Sequence, residues 1–137
     1  MLLFDLLGNV GNFTIVKAIV PAIMAILFLQ SGLDKVLNYK GNLDYFTDHF
    51  KNSPLSKTVG LLMPTLTILE VSAGMTSAVG AISLIWGNEI WAYTGLILSA
   101  ISLLCLFLGQ RMAKDYGGAA GLTGYFIIVL MGLLMLA

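Results

Sequence analysis

The feature that most constrains this chain is a set of four long apolar runs, separated by short polar segments. A transmembrane helix needs about 20 consecutive, mostly apolar residues, so four of them take about 80 positions. In a chain of 137 residues, 58% apolar and 10% charged, that leaves short loops rather than a separate water-soluble domain. An ordinary soluble domain has about 25% charged residues. The sequence therefore predicts an all-α, polytopic membrane protein, folded as a four-transmembrane-helix bundle.

The predicted organisation is one membrane domain over 1–137, with spans at about 13–37, 55–86, 89–110 and 119–137. The long connection after the first span has apolar residues at helical spacing, opposite charged ones. The two sets are Leu43, Phe46 and Phe50, and Asp44, Asp48 and Lys51. This pattern predicts a short amphipathic helix in the headgroup plane between helices 1 and 2. Ser53 and Pro54 follow as an N-cap and a first-turn proline, which predicts that the second span begins there.

Positive charge is concentrated on one side of the predicted bundle. The first and third connections must share a side, and they contain six of the seven basic residues: Lys35, Lys40, Lys51, Lys57, Arg111 and Lys114. The positive-inside rule therefore predicts that these connections lie in the cytoplasm and that both termini lie outside it. Trp86, Trp91 and Tyr93 cluster beside the short turn on the other side, as in an aromatic belt.

The composition argues against several classes of function. Seven basic residues balance seven acidic ones, so no basic surface is expected for a nucleic-acid partner. A single cysteine, Cys105, excludes dithiol exchange within one chain. With only His49 and Cys105 as strong nitrogen or sulfur ligands, no metal site and no cofactor held by this chain alone is predicted. We expect His49 to be a solvated side chain, and any redox cofactor to be diffusible or to belong to a partner.

Small residues recur at the spacing of one helix face on the predicted spans. Helix backbones approach closely at such faces in lipid, where packing and interhelical hydrogen bonds drive association. We therefore expect these residues to pack the helices against one another. They are Gly32, Gly74, Ser77, Ser99, Ser102, Gly121 and Gly124.

One carboxylate lies near the middle of a predicted span. Glu70 is about ten residues, or about 15 Å of helix, from the cytoplasmic end of the second span. An ionisable group at that depth costs about 2.5 to 3.5 kcal/mol, so it should face the bundle, be protonated, or pair with a cation or polar group. Gln30 and Ser31 are the nearest polar residues by depth, and the long side chain of Lys35 can reach toward it. Two interpretations stay open, a structural clamp between the first two helices and the handling of a ligand or proton.

The end of the first span has a second polar feature, since Gln30, Asp34 and Asn38 repeat every four residues. Together with the charged end of the third span, this face predicts a charged cluster under the cytoplasmic leaflet. Ordinary solvated helix ends are the alternative, because charges are tolerated there. The candidates for ligand or proton handling are Gln30, Ser31, Asp34, Lys35, Glu70 and Arg111.

Three stretches of the sequence resemble one family. They are FLQSGLDKVLNYKG followed by DYF, LTILEVSAG in the second span, and QRMAKDYGG after the third. In these stretches the chain resembles the DoxX family of small four-helix membrane proteins, and the resemblance runs over most of its length. The most specific positions are Ser31, Gly32, Lys35, Glu70 and Gly74. Family members often have an arginine early in the first span, where this chain has Lys17.

The resemblance implies a protein of the bacterial inner membrane. It implies a subunit of a terminal quinol oxidase, of a thiosulfate:quinone oxidoreductase, or of another membrane oxidoreductase complex linked to thiol and oxidative stress. The partners it implies are the lipid bilayer and other membrane or redox subunits, with a homo-oligomer as an alternative. No family cofactor site can be mapped, because the sequence lacks haem or cluster ligands.

Two functions therefore stay open, and with them the question of whether the chain is an enzyme. In the first, the chain is a quinone-linked redox subunit, with a quinone between the first two spans and proton exchange at Glu70 and Lys35. This function needs a partner, because the chain supplies no second redox centre. In the second, the chain is a non-enzymatic accessory or anchoring subunit, which an exposed face of small residues would favour. A transporter ranks last, since the outer halves of the spans offer only hydroxyl groups.

Overall fold

The computed structural model describes residues 14–136, and within that range the chain forms helices joined by turns, without strands. The helices are α1 (Thr14–Leu37), α2 (Tyr39–His49), α3 (Val59–Ser83), α4 (Ile90–Met112), α5 (Tyr116–Gly121) and α6 (Thr123–Leu136). A short 3-10 helix, Leu84–Trp86, continues α3.

Four stretches are long and apolar enough to cross a membrane, namely Ile15–Leu37, Val59–Trp86, Ile90–Met112 and Tyr116–Leu136. The short helix α2 lies between the first two of them. The predicted fold, a four-helix membrane bundle with a short helix after its first span, is thereby confirmed. Positions 13 and 137, at the outer ends of the predicted spans, lie outside the described residues.

The start of the second span differs from the prediction. Ser53 Oγ accepts a hydrogen bond from the Leu55 N–H (3.1 Å), and the Ser53 carbonyl accepts one from the Ser56 N–H (3.1 Å). These local bonds close successive turns over residues 51–58, and α3 begins only at Val59. The predicted start near 55 is wrong because the serine caps a tight turn rather than a helix. The other described boundaries agree to within three residues.

Helix α3 is the centre of the bundle and packs against α1 on one side and α4 on the other. Two glycines allow these close contacts. A Cβ atom at Gly74 would lie 2.8 Å from the backbone nitrogen of Leu29 on α1, and one at Gly95 would lie 2.6 Å from that of Ser77. Any larger side chain at Gly74 or Gly95 would force the helices apart.

The predicted packing residues divide into two groups. Five of them are buried where the helices meet: Gly32, Gly74, Ser77, Ser99 and Ser102. Gly121 and Gly124 are exposed, and a Cβ atom at either would meet nothing within 4 Å. The prediction that these two pack the helices of this chain is wrong.

The reason lies in how the fourth span docks on the bundle. Helix α6 meets it through Val129 and Gly132, where a Cβ atom at Gly132 would lie 2.6 Å from Val20 Cγ1. At the start of this span, the helix face that carries the glycines therefore points away from the bundle. Over its most apolar window, 22% of the fourth span is buried, compared with 33% in each of the others. The fourth span is therefore the one most open to lipid or to another chain.

Contacts at the two ends show how the connections are arranged. At one end, Lys17 of α1 pairs with Glu89, which directly precedes α4. At the other end, His49 of α2 lies against Gln110 near the end of α4. The long first connection and the short third one thus lie at the same end of the bundle, as an up-and-down order of spans requires.

Candidate functional site

Two ionisable side chains, Lys35 and Glu70, are buried among the described residues, and they lie together between α1 and α3. Ser31 and Lys35 are one helical turn apart and share a face of α1, and Glu70 comes from the facing side of α3. Lys35 Nζ lies 3.0 Å from Glu70 Oε2, and Ser31 Oγ donates to the same oxygen at 2.7 Å. Lys35 Nζ also donates to Ser31 Oγ at 2.8 Å. The three side chains form a closed triangle of hydrogen bonds, here called the Ser31–Lys35–Glu70 cluster.

Two of the three side chains in the cluster are shielded from solvent, whereas Ser31 is half-buried. The Glu70 side chain is 0% exposed and the Lys35 side chain 8%. On the side of α2, the Phe46 ring covers the lysine, with Lys35 Nζ 5.8 Å from the ring centroid. Of the alternatives predicted for Glu70 (facing the bundle, protonation, or pairing with a cation or polar group), the structure shows a residue that faces the bundle and pairs with Lys35 and Ser31. Its use in handling a ligand or a proton stays a prediction.

The two oxygens of the Glu70 carboxylate have different surroundings. Oε2 accepts from both Ser31 and Lys35, whereas buried Oε1 has no hydrogen-bond partner within residues 14–136. A carboxylate can accept hydrogen bonds at both oxygens, and a buried acceptor without a donor costs about 1 to 3 kcal/mol. Oε1 is therefore the atom of the cluster that can still take a proton, or accept a hydrogen bond from a ligand.

Two more predicted site residues lie beside the cluster on the outer surface of α1. Gln30 and Asp34 are exposed, and together with Leu27 and Ser31 they line a shallow recess of about 320 Å³. Asp34 Oδ2 accepts a hydrogen bond from Asn42 Nδ2 at 3.2 Å. Neither Gln30 nor Asp34 contacts Glu70, but both share the recess with Ser31, whose hydroxyl group does.

Arg111 does not join this group. It is exposed, and its guanidinium carbon lies 4.3 Å from the centroid of the Tyr116 ring. Among the ion pairs of the described residues, none links the end of α1 to the end of α4. The predicted charged cluster under the leaflet is therefore wrong, because Lys35 turns into the bundle while Arg111 stacks on an aromatic ring.

A polar contact that the sequence did not predict holds α2 against the end of α4. His49 Nε2 lies 2.8 Å from Gln110 Oε1 and 3.6 Å from Asp115 Oδ2. The His49 side chain is only 18% exposed, so the prediction of a solvated histidine is wrong. A signal was present in the sequence, because His49 is three residues after Phe46 and next to Phe50, on the apolar side of α2.

The second feature missed by sequence reasoning is an apolar groove of about 360 Å³ on the bundle surface. Its walls come from α2, from the first half of α3 and from the second half of α4. Residues that define it are Phe46, Phe50, Leu62, Leu66, Leu108 and Gly109. Cys105 also lines this groove and is exposed there. Phe46 separates the groove from Lys35, so the two sites are neighbours but distinct.

No family model, no curated protein and no solved structure matches the chain. The resemblance to the DoxX family, which rests on short stretches of sequence, therefore stays a prediction. The site is defined by its own geometry. Ser31, Lys35 and Glu70 are nevertheless three of the positions on which that resemblance rests.

Proposed function

We propose that the protein is an integral membrane subunit of a quinone-linked oxidoreductase or respiratory-type complex, with a quinone or proton site near Glu70 and Lys35. The observation that carries the proposal is the buried Glu70 carboxylate in mid-span, with one oxygen bound in the cluster and Oε1 without a partner. Ionisable groups at such a depth are usually functional.

The chemistry of the cluster suits the head of a quinone. A quinone carbonyl needs a hydrogen-bond donor, and a quinol hydroxyl group needs an acceptor. The Ser31 O–H is already donated to Glu70 Oε2, so the donor is Lys35, whose longest contact, 3.5 Å to the Ser31 carbonyl, can be exchanged for a ligand. Glu70 Oε1 supplies the acceptor. The recess beside Ser31 is open on the surface of α1, so a ligand dissolved in the bilayer could approach from there.

The protons and electrons can be followed through such a site. Oxidation of a quinol to a quinone releases two protons and two electrons. If a quinol were held there, Glu70 Oε1 would be the group that accepts one hydroxyl proton, and the polar recess that contains Asp34 would offer a path for the second. The two electrons would have to go to a redox centre in a partner subunit, because the sequence has no ligand set for one.

The resemblance to the DoxX family supports the same proposal. It suggests a bacterial inner membrane, other redox subunits as partners, and a role near quinones. Under the positive-inside rule, the lysine-rich connections face the cytoplasm and both termini lie outside it. The Ser31–Lys35–Glu70 cluster then lies in the half of the bilayer nearer the cytoplasm.

Native mass spectrometry of the protein, released from its own membrane in mild detergent, tests the proposal. We expect a bound species with the mass of a quinone, and Glu70→Gln should lower its occupancy about tenfold, since a hydrogen bond to a charged group contributes about 1.5 to 3 kcal/mol. The control is Glu89→Gln, which changes an exposed carboxylate at the other end of the bundle and should leave occupancy unchanged.

Two results would overturn the proposal. One is a wild-type protein that carries no quinone. The other is Glu70→Gln retaining quinone at the wild-type level while Glu89→Gln does the same. In either case the carboxylate would be left with a structural role.

A second function, that of a non-enzymatic accessory or anchoring subunit, is favoured by the fourth span. Gly117, Gly121 and Gly124 are exposed at its start, and Cβ atoms there would meet nothing within 4 Å. Such a face allows close approach of a helix from another chain. Co-purified subunits without a quinone, in the same spectra, would favour this function over the first.

A further inference from the structure

The apolar groove has the depth of one leaflet of a bilayer. On α3 its lining residues run from Val59 to Leu69, ten residues apart, which corresponds to about 15 Å of helix. The hydrocarbon core of a bilayer is about 30 Å thick, so the groove reaches from the end of the span to the middle. Leu62 and Leu108 on its walls are 39% and 57% exposed, so the groove opens sideways toward lipid.

The absence of a side chain at Gly109 keeps the groove open. Phe46 of α2 and Phe50, directly after that helix, stack with ring centroids 5.9 Å apart and form the wall nearest the headgroups. Opposite them, a Cβ atom at Gly109 would lie 3.4 Å from the Phe50 ring. A longer side chain at Gly109 would enter the groove or push Phe50 aside. The volume of about 360 Å³ is within the range of pockets that hold small ligands, about 300 to 1,000 Å³.

Three basic residues are close in sequence to lining residues at one end of the groove, here called its rim. Lys57 follows Leu55 of the wall by two residues, Arg111 lies between two lining residues of α4, and Lys114 comes just after that helix. Within residues 14–136, none of these three cations has a carboxylate within 4 Å.

Among the acidic residues next to the lining, Asp44, beside Tyr45, has no cation within 4 Å in residues 14–136. Asp48 pairs with Lys51 at 3.1 Å. Asp115 accepts the Gly118 N–H at 2.9 Å and lies 3.6 Å from His49. The rim thus has four basic residues (Lys51, Lys57, Arg111 and Lys114) and three acidic ones (Asp44, Asp48 and Asp115), an excess of one positive charge beside the apolar groove.

We propose that this groove binds one anionic phospholipid, with an acyl chain along α3 and α4 and the phosphate at the rim of Lys57, Arg111 and Lys114. The groove's depth of one leaflet matches a chain that ends at mid-membrane, and the cations match a negative headgroup. A phosphate pairs its negative charge with these cations, whereas the neutral head of a quinone can only accept hydrogen bonds from them. The site lies on the other side of Phe46 from the Ser31–Lys35–Glu70 cluster and does not depend on the proposed redox function.

Native mass spectrometry of the full-length chain tests the proposal directly. The protein is equilibrated in detergent with equal amounts of phosphatidylglycerol and phosphatidylcholine that have the same acyl chains. We expect one phosphatidylglycerol to be retained, with about tenfold preference over phosphatidylcholine. Gly109→Leu, which fills the groove, should reduce this retention about tenfold. The matched control is Gly60→Leu, an exposed helical glycine at the same end of the bundle whose Cβ atom would meet nothing within 4 Å.

Two further tests distinguish binding of the lipid headgroup from binding of its acyl chain. Lys57→Gln should lower the preference for phosphatidylglycerol about fivefold, the effect expected of one cation near an anionic headgroup, whereas Lys40→Gln on α2 should not. Alkylation of Cys105 in the folded protein fills the groove without a substitution that could impair folding. Modified and unmodified chains are resolved by mass in the same sample, and the modified chains should lose the lipid.

Three outcomes would overturn the proposal. The first is equal retention of the two lipids by the wild-type protein. The second is unchanged retention after both Gly109→Leu and alkylation of Cys105. The third is a quinone that is lost together with phosphatidylglycerol from Gly109→Leu, which would assign the groove to the quinone. Loss of phosphatidylglycerol alone, with the quinone still bound, supports two separate sites.

Discussion

Two lysine–glutamate pairs connect α1 to the rest of the bundle, and they have nearly the same geometry in opposite surroundings. Lys17 Nζ lies 3.1 Å from Glu89 Oε1, and Lys35 Nζ lies 3.0 Å from Glu70 Oε2. In the first pair the side chains are 21% and 46% exposed, and in the second 8% and 0%. Distance therefore does not distinguish the pairs, whereas burial does.

Among the described residues, only the buried pair has further hydrogen-bond partners, and burial explains why. An exposed pair keeps much of its hydration and needs no other donor. A buried pair loses that hydration, so its remaining hydrogen-bonding capacity has to be met by protein groups. Ser31 does this for Glu70 Oε2 and Lys35 Nζ, while Oε1 stays without a donor among the described residues. A packing role alone would be served as well by two apolar side chains, which is why we connect the buried pair with function.

The largest effect is expected when the cation of the buried pair is removed. Lys35→Met leaves Glu70 buried without its positive partner, and breaking a buried pair in this way costs about 3 to 5 kcal/mol. The free energy of unfolding, measured by titration with SDS in mixed micelles, should fall by that amount.

The control for this prediction removes both charges. Lys35→Met combined with Glu70→Leu leaves no buried charge, so its stability should be close to that of the wild type or above it. If the double variant is as unstable as Lys35→Met alone, the pair is a structural clamp between α1 and α3, and the argument for function from burial fails.

An intermediate effect is expected from the hydroxyl group of the cluster. Ser31→Ala removes the donor to Glu70 Oε2 and the acceptor for Lys35 Nζ. Because both partners are charged, the free energy of unfolding should fall by about 1.5 to 3 kcal/mol in the same titration.

Ser102→Ala is the matched control for the serine. Ser102 is buried, more fully than Ser31, and its hydroxyl group donates within its own helix, to the Leu98 carbonyl at 2.8 Å. Its loss should change stability by less than about 1 kcal/mol. Equal losses for the two serines would mean that the charged partners of Ser31 contribute nothing beyond an ordinary hydroxyl contact.

The fold could be predicted because, in a bilayer, the length of an apolar run and the helical spacing of its residues determine where the helices are. Four apolar runs and one amphipathic segment correspond to the helices found in the structure. The start of α3 could not be predicted, since a serine before a proline can cap either a turn or a helix, and Ser53 caps a turn. Gly121 and Gly124 could not be distinguished from Gly132 either, because every face of the fourth span is apolar or small.

Those parts of the candidate site that depend only on the position of a residue along its helix could be predicted. The depth of Glu70 and the one-turn spacing of Ser31 and Lys35 follow from the helical rise and period. The contact of His49 with Gln110 and the apolar groove depend instead on the angle at which α2 folds back over α3 and α4. Local periodicity contains no information on that angle, so these features appear only in three dimensions.

The smallest effect is expected at the exposed pair. Lys17→Gln removes an ion pair whose partner, Glu89, is 46% exposed, so water can hydrate the carboxylate that is left. Exposed pairs contribute about 0.2 to 1 kcal/mol, and salt screens them. The loss in the SDS titration should be within that range and should disappear at high ionic strength. If Lys17→Gln destabilised the protein as much as Lys35→Met, burial would not be what separates the two pairs, and the unpartnered oxygen of Glu70 would lose its significance.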